Sequence, residues 1–351
     1  MCDIIRVGER IMELTFEQIA SVTCGAVRAG KQENCVHLYR FSSEQEKIYE
    51  LTNADFYKKT FSTAGIKLVF QTNSQSLYLK INTLESTSRS LYSVDVLVNG
   101  KYLDCMKNYD ASVAYACNYL PDLPCPNGVN EKTFALGEGD KVVEIVFPWS
   151  VIVEILSVKL DDNSYILPIV KDKLLLCYGD SITHGYDAIH PTNRYAYRLA
   201  NLLGADEINK GIGGEVFFPP IVGNKEDFEP DYIIVAYGTN DWDKCTLKDF
   251  TNACREFYEA LSQNYPDAKI FALTPIWRGD IQSEKPMGKF DVLKNTIIEQ
   301  TDDLGNVHVI DCTGAIPGEK KYFADDLVHP NDDGFEPYAQ FVYQKIKEIL
   351  E

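Results

Sequence analysis

The stretch Leu174-Leu-Leu-Cys-Tyr-Gly-Asp-Ser-Ile-Thr-His-Gly185 constrains this chain more than any other, because an apolar run of strand length stops abruptly at Gly179-Asp180-Ser181. Such a run, bounded by glycine and small polar residues, predicts a buried parallel strand that ends in a tight turn. In open α/β sheets ligands bind beyond the carboxyl ends of the strands, so the turn puts the Ser181 hydroxyl where a nucleophile is useful. The same serine could instead cap the following helix, and Gly-Asp-Ser alone does not separate the two readings.

From about residue 171 onward, strand-length and helix-length segments alternate. The strands are 174–178, 207–209, 232–237, 269–273 and 307–311; the helices are 194–203, 247–264, 290–302 and 336–350. This alternation predicts an α/β fold with a doubly wound parallel sheet of about five strands. The first half reads differently. Short alternating or apolar strands are expected at 36–41, 66–71, 77–82, 92–98, 102–105, 141–147 and 152–160, with a possible early helix at 15–27. Asn99-Gly100 suits a type I′ hairpin turn, and Gly137-Glu-Gly-Asp140 is a second turn signal. Many strands with little helix predict a β-sandwich of the jelly-roll type. The expected division is therefore residues 1–170 as a sandwich accessory domain and 171–351 as the catalytic domain, joined without a low-complexity linker.

Each candidate functional stretch in the second half follows the end of an expected strand or lies just before the last helix. Ser181 follows the first strand, Gly213-Gly214 the second and Gly238-Thr-Asn-Asp241 the third, and Asp326-Leu-Val-His-Pro330 precedes the last helix. Acyl transfer needs a nucleophile, a base, a group that orients the base, and donors for the oxyanion. Ser181, His329 and Asp326 fit the first three roles. The Ser181 N–H, the Gly214 N–H and the Asn240 side-chain amide fit the last, and a glycine there lets the backbone approach the substrate closely.

Together the blocks Gly179-Asp-Ser-Ile-Thr183, Asn209-Lys-Gly-Ile-Gly-Gly214, Gly238-Thr-Asn-Asp241 and Asp326-Leu-Val-His-Pro330 resemble the SGNH (GDSL-type) hydrolase family. The resemblance covers the second half only. It implies Ser181 as nucleophile, His329 and Asp326 as base and orienting acid, and Ser181, Gly214 and Asn240 as the oxyanion hole. Ile182 stands where the motif has leucine, and Gly213 where many relatives have serine, which leaves the donor open between Gly213 and Gly214. A sandwich ahead of such a domain also resembles carbohydrate esterase family two, whose members remove acetyl groups from polysaccharides and oligosaccharides. The reading that follows is a serine esterase acting on O-acyl, above all O-acetyl, esters of carbohydrates. A lipid acylhydrolase or thioesterase and an inert carbohydrate-binding protein are the alternatives.

Other candidates are weaker. Trp277, after an expected strand, offers a face on which a sugar ring could stack, and His184, close to Ser181, is a second candidate for substrate contact. Asp180 and Asp241 suit turn-holding and capping roles, and Asp332-Asp333 suits solvated surface. The apolar segment 216–222 could line an acyl pocket or pack between the domains.

Composition limits the partners. A formal charge of -18 repels nucleic acid and anionic membrane surfaces, so neither is expected as a partner. The expected partner is a small-molecule or oligosaccharide acyl ester; the sequence sets no oligomeric state. Ten scattered cysteines without a Cys-x-x-Cys pair give no zinc or redox motif, and no cofactor or metal is expected. Free thiols and charges near the N-terminus point to a cytoplasmic protein.

Overall fold

The computed structural model describes residues 11–87, 89–109, 128–325 and 327–351. Within the first half of these residues, two antiparallel sheets enclose one apolar core. One sheet runs in the order Arg28–Gln32, Cys35–Tyr39, Val151–Asp161, Ser76–Ser86, Gly128–Ala135, with Ile11–Glu13 also pairing with Val151–Asp161. The other runs Leu167–Pro168, Lys67–Thr72, Lys141–Val146, Ser93–Val98, Lys101–Lys107, with Thr23–Cys24 on Lys67–Thr72. Alternation decides which side chains face inward. Val151, Val153, Ile155, Val158 and Leu160 of one sheet meet Leu68, Phe70, Val94, Val96, Val143 and Ile145 of the other. Asn99 and Gly100 turn the hairpin with φ of 51° and 73°, the left-handed values that a type I′ turn requires.

This half contains more helix than its sequence suggests. The early helix spans only Phe16–Ser21, because Thr23–Cys24 leaves it to join a sheet. Two further helices, Ser43–Thr52 and Ala54–Thr60, project toward the second half.

The second half is a five-stranded parallel sheet in the order Ala205–Asn209, Lys173–Gly179, Tyr232–Ala236, Lys269–Leu273, Val307–Ile310. Side chains alternate across it. Leu176, Tyr178, Ile233, Val235 and Ile270 pack under the helices Leu247–Asn264 and Asp291–Thr301. On the opposite face, Leu175, Cys177, Ile234 and Phe271 meet the helices Tyr195–Leu203 and Asp332–Leu350. The last helix begins four residues earlier than its periodicity suggests, because Asn331 caps it through Asp333 N and Gly334 N while Gly334 and Pro337 mask its first turns in the sequence. In strand order 2-1-3-4-5 the chain reverses direction of travel between strands 1 and 3, the position where such sheets open a crevice.

The two halves meet through polar contacts. Arg40 is completely buried, and its guanidinium donates to Lys59 O and Ser62 O in the first half and to Asn209 O and Gly211 O in the second, at 2.8–3.1 Å.

Candidate active site

Ser181 opens the short helix Ser181–His184 directly after Lys173–Gly179, and Asp180 caps that helix by accepting from Ile182 N at 2.9 Å. The turn demands glycine at 179, where a Cβ would lie 2.9 Å from the carbonyl oxygen of Ala236. His329 Nε2 stands 2.8 Å from Ser181 Oγ, and His329 Nδ1 stands 2.6 Å from Asp325 Oδ2. A carboxylate only accepts, so Nδ1 carries the proton and Nε2 is left to accept the serine's. The fold thus brings the candidate nucleophile and the candidate base together from positions 148 residues apart.

The carboxylate on Nδ1 is that of Asp325, one residue before the Asp326 to which the motif spacing pointed. Asp326 lies outside the described residues. Asp325 takes the place on Nδ1 because the loop folds back over it: Leu327 N, Val328 N and His329 N all donate to its Oδ1, at 3.1, 2.8 and 2.9 Å. Burial opposes its ionisation, but His329 and these N–H groups outweigh burial and hold its carboxyl well below the usual carboxylate range.

Gly214 has φ of 88°, a conformation that favours glycine. Gly213 N donates to His184 Nδ1 at 3.3 Å, so among the described residues Gly214 is the one of the pair whose N–H is left for an incoming oxygen. Gly213 must be glycine for another reason: a Cβ there would lie 2.1 Å from the Tyr186 hydroxyl. Asn240 follows Tyr232–Ala236, and its Nδ2 donates to Glu215 O at 3.0 Å, which fixes the amide beside the glycine loop and leaves its second hydrogen available. Asp241 holds this corner together, accepting from Phe217 N and Gly238 N at 3.0 Å each.

The two expected substrate contacts differ in exposure. His184 is fully buried, with Nε2 2.8 Å from Ser62 Oγ and 3.0 Å from Trp149 O, so it braces the domain contact and has no surface to offer a substrate. Burial and the nearby Arg40 push its pKa well below the ordinary value and keep it neutral. Trp277 is half-buried, and its indole packs on Phe323 and against Gly318. Its loop nevertheless joins the histidine loop, Gly279 N donating to Leu327 O at 2.7 Å. The segment 216–222 contributes Phe217, Ile221 and Val222 to the core under the sheet. Asp332 is not free surface either: it accepts from Ile189 N and Asn193 Nδ2, at 2.9 and 2.8 Å.

Near the corner formed by Gly214 and Asn240 lie three buried carboxyls. Burial, reinforced by their mutual repulsion, pushes Glu215 up to about 8 and Asp241 up to about 7, and burial pushes Asp180 up to about 6. Tyr49 and Tyr237 donate to the Glu215 carboxyl at 2.6 and 2.7 Å. Sequence reasoning missed Asp325, and it missed the first-half residues at the site: Lys59 Nζ donates to Gly213 O at 2.8 Å, and Phe56 lies beside Gly214. Away from the site, Cys35, His37 and Glu154, and likewise Asp95, Cys105 and His190, bring ligand-type atoms within 4.8 Å of one another.

Residues 177–336 match the model of the GDSL-like Lipase/Acylhydrolase family. No curated protein matches the chain. Among solved structures, the chain is similar to a salicylyl-acyltransferase from a tetracycline biosynthetic pathway, at 17% identity and a TM-score of 0.79, with 97% of each chain covered. It is also similar to a putative GDSL-like lipase from Bacteroides ovatus, at 18% identity and a TM-score of 0.74, covering 97% of this chain and 98% of that one. A family two carbohydrate esterase from Clostridium thermocellum, solved with cellohexaose, is similar at 16% identity and a TM-score of 0.64, covering 82% of this chain and 94% of that one.

Proposed function

From the premise that residues 177–336 are a GDSL-like lipase/acylhydrolase domain, we propose that the chain is a serine esterase that hydrolyses O-acetyl esters of carbohydrates. The observation that carries the proposal is the unbroken relay from Ser181 Oγ through His329 to Asp325, with hydrogen-bond lengths of 2.8 and 2.6 Å. In this mechanism Ser181 Oγ attacks the ester carbonyl while its proton passes to His329 Nε2. The carbonyl oxygen becomes an oxyanion and receives the Ser181 N–H, the Gly214 N–H and the Asn240 amide. The imidazolium returns the proton to the departing sugar hydroxyl, which leaves an acyl-serine. Water, deprotonated by the same nitrogen, then releases the acid and restores the serine.

Three observations favour a small acyl group on a polar alcohol. The loops near the relay are polar, the core takes up Phe217, Ile221 and Val222 of the apolar segment 216–222, and solved relatives include carbohydrate esterases. A p-nitrophenyl ester series from acetate to decanoate, with acetylated xylo- and cello-oligosaccharides beside it, tests the reading. Acetate should be fastest, and kcat/KM should fall about tenfold or more by butyrate, because methylenes beyond a closed pocket cost roughly 1–3 kcal/mol each. Ser181→Ala should abolish turnover. A maximum at eight carbons or longer would favour a lipid acylhydrolase. A product carrying the acyl group on an added alcohol, in excess of the free acid, would favour transfer of the kind named for the acyltransferase relative.

A further inference from the structure

A second carboxylate stands behind the imidazole, and it is tied to the first half of the chain. Asp187 Oδ2 lies 3.5 Å from His329 Nδ1, the same nitrogen that Asp325 engages at 2.6 Å. Arg89, in the segment after Ser76–Ser86, grips Asp187 with both arms of its guanidinium, Nε to Oδ1 at 2.8 Å and Nη2 to Oδ2 at 3.2 Å. Both side chains are largely shielded, at 11% and 13% exposure, so solvent does not screen the pair as it would at a surface. Asp187 adopts φ of 69°, a left-handed conformation that a non-glycine residue keeps only where its surroundings impose it.

Those surroundings come mainly from the sandwich. Trp149 Nε1 donates to Ala188 O at 2.7 Å, and Asp95 accepts from Thr192 Oγ1 at 2.7 Å and pairs with His190 Nδ1 at 2.9 Å. On the other side Asp332 holds Ile189 and Asn193. The Tyr186 ring lies 5.8 Å from the His329 ring and carries the Arg89 guanidinium over its own face at 5.1 Å.

We propose that Arg89 and Asp187 are a positioning pair for His329, through which the sandwich holds the catalytic imidazole and balances its charge. The inference rests on the esterase reading. A general base must be neutral to take the serine's proton, yet two carboxylates beside one imidazole favour imidazolium. The guanidinium offsets one of those charges, so Asp187 can steady the imidazolium formed in the reaction without fixing the ring in that state beforehand. Among the described residues, the groups facing His329 are Asp325 on its own loop, Asp187 and the Tyr186 ring on the second loop, Arg89 from the sandwich, and Ser181 and Asp180 at the nucleophile turn.

The test compares wild type with Asp187→Asn, Arg89→Gln and Arg89→Lys in the full chain, measuring kcat/KM for p-nitrophenyl acetate against pH, the His329 ring titration by NMR, and the thermal midpoint. Asp187→Asn removes a negative charge beside His329 while the Arg89 charge stays, so the acid limb should move down by about half a pH unit or more. Arg89→Gln leaves Asp187 unopposed, so the limb should move up by about as much, and Arg89→Lys should bring it most of the way back. Opposite displacements are the signature, because a structural defect would lower turnover and the thermal midpoint in both variants without moving the limb in two directions. If both variants stay within about 0.2 units of wild type, the inference is wrong. Should Asp187→Asn not fold, the Arg89→Gln and Arg89→Lys displacements decide alone. If wild type itself lacks Ser181-dependent turnover, the esterase reading fails, while the His329 titration still tests the pair.

Discussion

Replacing Asp325 by asparagine should damage the enzyme more than replacing it by alanine. The reason lies in how the two carboxylate oxygens are used. Among the described residues, Oδ1 accepts three backbone N–H groups, from Leu327, Val328 and His329, whereas Oδ2 faces His329 Nδ1 alone. An asparagine must put its carbonyl oxygen where the three donors converge, since turning its NH2 group there would oppose donor to donor and leave three N–H groups unpaired. Each such loss costs about 1–3 kcal/mol, so the orientation is fixed. The NH2 then points at His329 Nδ1, which must become an acceptor, and the ring proton moves to Nε2, 2.8 Å from Ser181 Oγ. In that tautomer the histidine cannot take the serine's proton.

Loss of the correct tautomer costs on the order of 10⁴ in kcat, or about 5.5 kcal/mol. Alanine loses the orienting bond but leaves the ring free to choose its tautomer, with the Asp187 carboxylate 3.5 Å from Nδ1 still favouring the productive one. Asp325→Ala should therefore lose less than the asparagine variant, within the roughly 10²–10⁴ that base catalysis contributes. The assay is kcat on p-nitrophenyl acetate at pH 7 to 8, with thermal midpoints to exclude unfolding, and with Asp326→Asn alongside. The reasoning is refuted if Asp325→Asn retains activity within about tenfold of wild type, or if Asp326→Asn is the inactive variant.

Two shorter predictions follow from the same corner of the fold. Asn240→Ala removes one oxyanion donor and should lower kcat by about a hundred- to a thousandfold with little change in KM; a loss under about threefold would move that role to another group. Glu215→Gln should change how stability depends on pH. Burial, the largest cause, raises the Glu215 pKa from its ordinary 4.5 to about 8, so its stabilising contribution is complete below the unfolded value and is lost as pH rises through the folded one. Wild type should lose up to about 1.4 kcal/mol per pH unit across that window, and the glutamine variant should escape this loss. Thermal midpoints from pH 5 to 9 check it, and a pH-independent offset between the two proteins would contradict it.

The parallel sheet was legible because fully buried strands leave continuous apolar runs and because the residues that shape the turns act locally, as at Gly179-Asp180-Ser181. What the sequence hid was decided by tertiary contact. The helix Ser43–Thr52 carries a capping box, Ser42 with Gln45, yet its buried residues are Gln45, Glu46 and Tyr49, so the apolar periodicity that announces a helix is absent. The strand Gly128–Ala135 alternates, but only Phe134 is buried along it. Asp325 precedes a residue of its own type, and its contact with His329 depends on how three following N–H groups fold back, which motif spacing cannot express. His184 sits three residues from Ser181 on the same short helix but faces the interface with the sandwich.

These interface contacts give the first half of the chain a part in forming the site. The glycine loop that offers Gly214 is held on several sides by sandwich-side groups: Arg40 on the carbonyls of Asn209 and Gly211, Lys59 on the carbonyl of Gly213, and Ser62 on His184, which in turn accepts from Gly213 N. The base is approached from the same half through Arg89 and Asp187. Each of these first-half residues precedes the span 177–336 that matches the family model. Removing them would leave several buried carbonyls without donors, at about 1–3 kcal/mol each, and would free a loop whose donor must be held within a few tenths of an ångström of its oxyanion to be useful. In the proposed mechanism the oxyanion hole rests partly on a bare glycine backbone, which has little side-chain packing of its own to fix it. The sandwich supplies that rigidity, and it does so at the strand end where the sheet's order opens the crevice.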